Sequence, residues 1–150
     1  MKILLISVGK PKSSEIVALA EEYARRIAHY AQFSRVCIRE ESRPDHAIYE
    51  GKKILEKIGE LKDEPFVVVC DVAGKQMDSV GFAGLLRKRM FQLLVLVIGG
   101  SDGVSDAVRE RAGELVSFSA MTFPHELFLV MAVEQVYRAF TIINNEKYHK

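Results

Sequence analysis

Phe91-Gln92-Leu93-Leu94-Val95-Leu96-Val97-Ile98 is a nearly unbroken apolar run that stops at Gly99-Gly100. A run this short and this rich in β-branched residues suits a strand buried on both faces, since a wet face would place polar residues at every second position. The same reading applies to Phe66-Val67-Val68-Val69-Cys70, which ends on Asp71, and to the opening run Ile3 to Val8, interrupted by Gly9-Lys10-Pro11-Lys12. Strands covered on both sides need helices, and the intervening segments have helical periodicity. Ser13-Ser14-Glu15 caps a helix through about Tyr30, with Ile16, Leu19, Ala20, Tyr23 and Ile27 on one face. Phe33 to Arg39 alternates as a strand with one wet side. Pro44-Asp45 opens a second helix striped by Ile48, Ile54, Leu55 and Ile58 and ending near Gly59. Asp78-Ser79 caps a third, Ser105-Asp106 starts a fourth, and Leu115 to Ser119 is a short last strand. Pro124 takes the first position of the final helix, which runs to Ile143. This alternation predicts an α/β three-layer fold with a mostly parallel sheet, in one domain spanning residues 1–150.

The composition excludes several classes of function. Hydrophobic residues make up 49% and charged residues 27% of 150 residues, an ordinary globular balance. Twenty-one Lys and Arg face 20 Asp and Glu, so no bulk charge marks a nucleic-acid or anionic-membrane binder. Two cysteines, Cys37 and Cys70, are too few for a cysteine-rich zinc site or a disulfide scaffold, and both are expected to be buried within strands. No secretory leader is apparent, and the apolar stretch Leu127 to Ile143 contains Glu134, Gln135 and Arg138, which a bilayer would penalise. A reduced, cytoplasmic protein is expected.

In open α/β sheets, ligands bind beyond the carboxyl ends of the strands. Three such ends are unusual here: Cys70 to Lys75, Ile98 to Gly103, and Ser117 to His125. Gly99, Gly100 and Gly103 fit neither a dinucleotide nor a P-loop fingerprint; they form a tight turn or a surface that a ligand approaches closely. Ser119 to Phe123 runs on without a turn signal, and its backbone N–H and C=O groups either bond within the protein or suit the edge of an adenine ring. His29, His46, His125 and His149 show no metal-ligand spacing, so no metal is expected. His29 and His46 read as solvated helix residues, and His125 as either packing or function. The last helix has a narrow polar stripe of Glu134, Gln135, Arg138 and Thr141, with Glu134 and Arg138 spaced for an i,i+4 pair. Its remaining faces are apolar enough to predict burial against a second copy.

Val97-Ile98-Gly99-Gly100-Ser101-Asp102-Gly103, then Ser117 to His125, then Tyr137-Arg138-Ala139 and finally Tyr148-His149 resemble the large-subunit rRNA methyltransferase H family of the SPOUT class. The likeness spans the chain and is densest over its last third. It implies an α/β knot fold whose C-terminal part forms a trefoil knot, and a homodimer that binds S-adenosylmethionine and methylates N3 of a pseudouridine in 23S rRNA. Position by position, it implies a cofactor pocket of Cys70, Gly99, Gly100, Ser119, Ala120, Met121, Thr122, Phe123 and Pro124. Three departures stand out: Ser101-Asp102 where many members have Pro-Glu, Cys70 in place of an aliphatic residue, and an ending at Lys150 where members often continue with Arg and an acid.

The sulfonium is already activated, so such an enzyme must supply in-line positioning and a proton acceptor for the imide N–H, without a metal. Tyr148 and His149 are the expected catalytic pair, with the tail ordering over the active site of its own chain or of the partner. Arg87, Lys88, Arg89, Lys10 and Lys12 are the expected phosphate contacts. Two other readings start from the same residues: a non-catalytic nucleotide- or RNA-binding α/β module, and a flavodoxin-like phosphate binder, which lacks the expected Ser/Thr-rich first loop.

Overall fold

The computed structural model describes residues 1–150. The elements are β1 (Lys2–Val8), α1 (Ser14–Ile27), β2 (Gln32–Ile38), α2 (His46–Gly59), β3 (Phe66–Gln76), α3 (Ser79–Lys88), β4 (Leu93–Ile98), α4 (Asp106–Arg111), β5 (Glu114–Ser117) and α5 (His125–Ile143). All five strands join one parallel sheet in the order β2-β1-β4-β3-β5. Alternation along the central strands divides the core in two. Ile3 and Leu5 of β1, Val68 of β3, and Leu94, Leu96 and Ile98 of β4 pack beneath α1, α3 and α5. Leu4, Ile6, Val8, Val67, Val69, Val95 and Val97 face the layer of α2 and α4. Both faces are dry, which is why these strands contain almost no polar residue. Truncating a fully buried member such as Leu96 to alanine would cost about 2–5 kcal/mol.

The helix starts follow their caps. Ser13 Oγ accepts the Ile16 N–H at 3.2 Å, and Asp78 Oδ1 accepts that of Gly81 at 2.7 Å. Several boundaries differ from expectation. The first helix stops at Ile27, and β2 starts and ends one residue early. Phe91 lies outside β4, fully exposed on a turn in which the Gln92 N–H bonds the Arg89 carbonyl. Strand β5 ends at Ser117, whereas β3 continues past Cys70 to Gln76. Its pairing with β5 shifts register between Cys70 and Lys75, so Asp71 to Gly74 bulge outward. Gly74 permits this, since a Cβ there would lie 2.6 Å from the Leu115 backbone. Pro124 is the N-cap rather than the first helical residue: it is extended (ψ 134°), and its carbonyl accepts the Phe128 N–H.

Helix α5 lies on the sheet face shared with α1 and α3, and Leu129, Val133, Val136 and Phe140 are buried within one chain. Thr141, expected on the polar stripe, is buried and donates its hydroxyl to the Arg138 carbonyl. Cover from a second copy is therefore needed for much less of this helix than its sequence suggests; Leu127 is the large apolar residue it leaves exposed. No helix is long and apolar enough to cross a membrane.

Candidate active site

The carboxyl ends of β3, β4 and β5 open into a cleft of about 560 Å³. The three segments singled out in the sequence wall it. Cys70, Gly99, Gly100, Ser119, Met121, Thr122 and Phe123 all line it; Ala120 and Pro124, expected beside them, do not. Phe118 and Phe128 extend the apolar wall, with ring centroids 5.3 Å apart. Ser119 is fixed from both sides: its carbonyl accepts the Ser117 hydroxyl at 2.9 Å, and its own hydroxyl accepts the Met121 N–H at 3.0 Å. The backbone N–H and C=O groups of Thr122 and Phe123 bond to nothing in the chain, leaving donors and acceptors at the cleft wall. Burial pushes the Cys70 thiol up to about 12, with the Asp71 carboxylate adding to it, so this side chain stays a neutral, apolar surface.

Of the two expectations for the glycine loop, the geometry matches the tight turn, with the Gly103 N–H on the Gly100 carbonyl. A Cβ on Gly99 would fall on the Gly103 carbonyl, which turns back across it, and Gly103 itself is left-handed (φ +81°). A Cβ on Gly100 would point away from the cleft, 2.9 Å from Glu50 Oε2 and 3.3 Å from Val8 Cγ1. Glycine is required here by close packing inside the protein. His46, expected to be solvated, is largely buried instead, with Nε2 2.7 Å from Asp102 Oδ2 in this loop. The opposite cysteine expectation also fails: Cys37 is exposed, because β2 is an edge strand.

One charged cleft residue, Arg109, gave no signal in the sequence. Arg109 of α4 donates Nε to Asp71 Oδ2 at 2.8 Å and Nη1 to Asp106 Oδ1 at 2.9 Å. Burial works to raise the Asp71 carboxyl, but the Ala73 N–H and the Arg109 guanidinium outweigh it and hold the group below the usual carboxylate range. Only the tertiary fold brings these residues, 38 positions apart, together. His125 also lines the cleft; its buried Nε2 has no partner.

Tyr148 and His149 are not at this cleft. The tail folds against its own chain beside a second cavity, about 630 Å³, lined by residues of α1, α3 and α5 together with Tyr148. Tyr148 Oη donates to Glu134 Oε1 at 2.9 Å, its ring meets Tyr137 edge-on at 4.8 Å, and Tyr30 Oη donates to Glu146 at 2.7 Å. His149 Nδ1 lies 3.5 Å from Arg138 Nη1. Phe118 lines both cavities. The basic residues also divide. Lys10 and Lys12 follow β1 at the cleft end of the sheet, while Arg87 to Arg89 precede β4 at the other end, where Arg89 stacks over the Phe66 ring at 3.9 Å.

The sequence profile described as "Predicted SPOUT methyltransferase" matches residues 1–149, which makes this parallel α/β sheet that of a SPOUT methyltransferase. A protein of Clostridium botulinum (strain Langeland) named "Ribosomal RNA large subunit methyltransferase H" is 42% identical over 159 aligned positions, covering 100% of both chains. One of the same name from Caldicellulosiruptor saccharolyticus is 42% identical and covers 99% of both. The chain belongs to the ribosomal RNA large subunit methyltransferase H family. Among solved structures, a probable methyltransferase from Bordetella pertussis Tohama I superposes with a TM-score of 0.59 at 13% identity, over 91% of this chain and 93% of that one, a likeness of fold alone.

Proposed function

We propose that this methyltransferase moves the methyl group of S-adenosylmethionine to N3 of a pseudouridine in 23S rRNA, as a cytoplasmic homodimer acting on the ribosome or its large subunit. The C-terminal trefoil knot of the family belongs to the same reading. One observation carries it: three segments distant in sequence meet at a single cleft whose chemistry fits the methyl donor. Cys70, Phe118, Met121 and Phe128 offer apolar surface to a purine face, and the free backbone groups of Thr122 and Phe123 suit its edge. The Asp71–Arg109 pair provides charge at the same cleft for a zwitterionic amino-acid end.

The bound donor supplies an activated methyl group. The chain must hold the base in line and take the imide proton. Burial, with the Tyr23 and Glu134 contacts, holds the Tyr148 hydroxyl well above the usual tyrosine range, so Tyr148 binds and positions rather than accepting a proton. His149 is then the tail's proton acceptor, and its distance from the cleft of its own chain favours action at the partner's cleft. Lys10 and Lys12 stand where they can meet phosphate beside that cleft; the Arg87 group would reach RNA only at a remote point.

The test is methyl transfer from labelled S-adenosylmethionine to ribosomes, separate large subunits and naked 23S rRNA, with the modified nucleoside identified by mass spectrometry. Label in N3-methylpseudouridine from assembled particles is expected. Tight binding of the donor with no transfer to any of the three would replace this reading with a non-catalytic binding module.

A further inference from the structure

Beneath the glycine loop lies a buried acid that the cleft does not use directly. Glu50 of α2 is 1% exposed; its Oε1 accepts the Glu41 N–H at 2.9 Å, while Oε2 has no hydrogen-bond partner and packs against Gly100. That orphan oxygen faces another unpartnered buried atom, the ring nitrogen His46 Nδ1, 3.6 Å away. The other ring nitrogen of His46 reaches Asp102 in the loop at 2.7 Å. One imidazole thus stands between a carboxyl group fixed in α2 and another on the wall of the cleft.

A neutral imidazole has a single N–H. Given to Asp102, it leaves a bare Nδ1 lone pair facing the Glu50 oxygen; given to Glu50, it leaves Asp102 unheld. The imidazolium has two and satisfies both sides. We propose that His46 is the positioning residue of the glycine loop, a protonated bridge between Glu50 and Asp102 that holds this wall of the cleft and couples methyl-donor binding to a proton. This rests on the reading that the cleft takes S-adenosylmethionine.

The surroundings are consistent with such a bridge. Asp102 raises the His46 imidazole above the ordinary histidine range, burial opposes it, and Glu50 adds to the rise. The other charged group packed here, Glu41, is paired with Lys53 and lies 3.7 Å from Arg43, so its charge is already met. Affinity for the donor should therefore be highest where His46 is protonated and fall as pH rises through its folded-state value.

The test measures S-adenosylmethionine binding by calorimetry from pH 6 to pH 9 in the wild type, His46→Gln and Asp102→Asn. Titration of the donor's own amino group is common to all three and cancels in the affinity ratio. The wild type is expected to bind about tenfold more tightly than either variant at pH 6, the scale of a lost charged hydrogen bond, with the ratio approaching one at pH 9. Asp102 is mostly exposed, so its variant folds even if the buried substitution does not. By reciprocity, saturating donor should raise the His46 midpoint followed by NMR. A ratio that does not change with pH, or a His46 midpoint indifferent to the donor, overturns the bridge while leaving the cleft in place. A wild type that never binds the donor overturns the cleft assignment itself.

Discussion

Tyr148 donates its hydroxyl to Glu134, fourteen residues earlier on the last helix, at 2.9 Å. The same Glu134 oxygen accepts Nε and Nη2 of Arg138 at 3.0 and 2.6 Å, and the other takes the Gln135 amide at 2.8 Å. The Glu134–Arg138 pair does more than support a helix: it forms the dock for a terminal segment that would otherwise fray.

His149→Ala and a truncation after Asn145 should therefore separate chemistry from binding. Each is expected to keep near-normal affinity for S-adenosylmethionine and to lose methyl transfer to ribosomes by about 10²-fold or more, the scale for a missing general base. Tyr148→Phe should cost about 1 kcal/mol in urea unfolding through the lost hydrogen bond. Full activity in the truncated protein would move suspicion to His125, whose unpartnered Nε2 is already at the cleft.

The glycine loop should reject side chains in a graded way. Gly99→Ala sets a Cβ against the Gly103 backbone, which cannot yield cheaply, and should destabilise the fold by about 1–3 kcal/mol. Gly100→Val meets the Glu50 carboxyl and Val8 on the side away from the cleft, so the loop must shift to admit it; donor binding should be lost through that displacement in a protein that still folds. Calorimetry with circular dichroism checks both, and unchanged affinity in a folded Gly100→Val protein would take the loop out of the site.

Arg109→Ala leaves the Asp71 carboxylate, whose side chain is 4% exposed, without its guanidinium. A loss of about 1–3 kcal/mol is expected near neutral pH. Because the folded state holds Asp71 below its ordinary value, this contribution is complete above about pH 4. It disappears as pH falls through the lowered folded value. Urea unfolding of both proteins from pH 7 to pH 3 should show their stabilities converging only at the acid end; a constant gap would mean that Arg109 acts by packing alone.

Light scattering at micromolar concentration should give a mass near twice 16.9 kDa. Leu19 of α1 and Leu127 of α5 are exposed apolar residues, and Leu19 borders the cavity that Tyr148 also lines. A stable monomer would leave action of the tail at a partner's cleft without support.

The sheet and its two dry faces are legible in the residue pattern alone, because an apolar run such as Leu93 to Ile98 is stable in water only when covered on both sides. The sequence also marked the three segments that wall the cleft, since glycines and an unpunctuated stretch after a strand are local signals. Extents that depend on neighbours were not legible in it. Strand β3 continues to Gln76 because Gly74 can lie against the Leu115 backbone, and Phe91 stays outside because a turn turns it into solvent. Tertiary structure alone decided the partners of the charged groups: Asp71 with Arg109, His46 with Asp102, Tyr148 with Glu134. Each of these pairs joins separate elements or a tail to a helix. Their energies depend on distance and burial, quantities that a linear pattern of residue types does not contain.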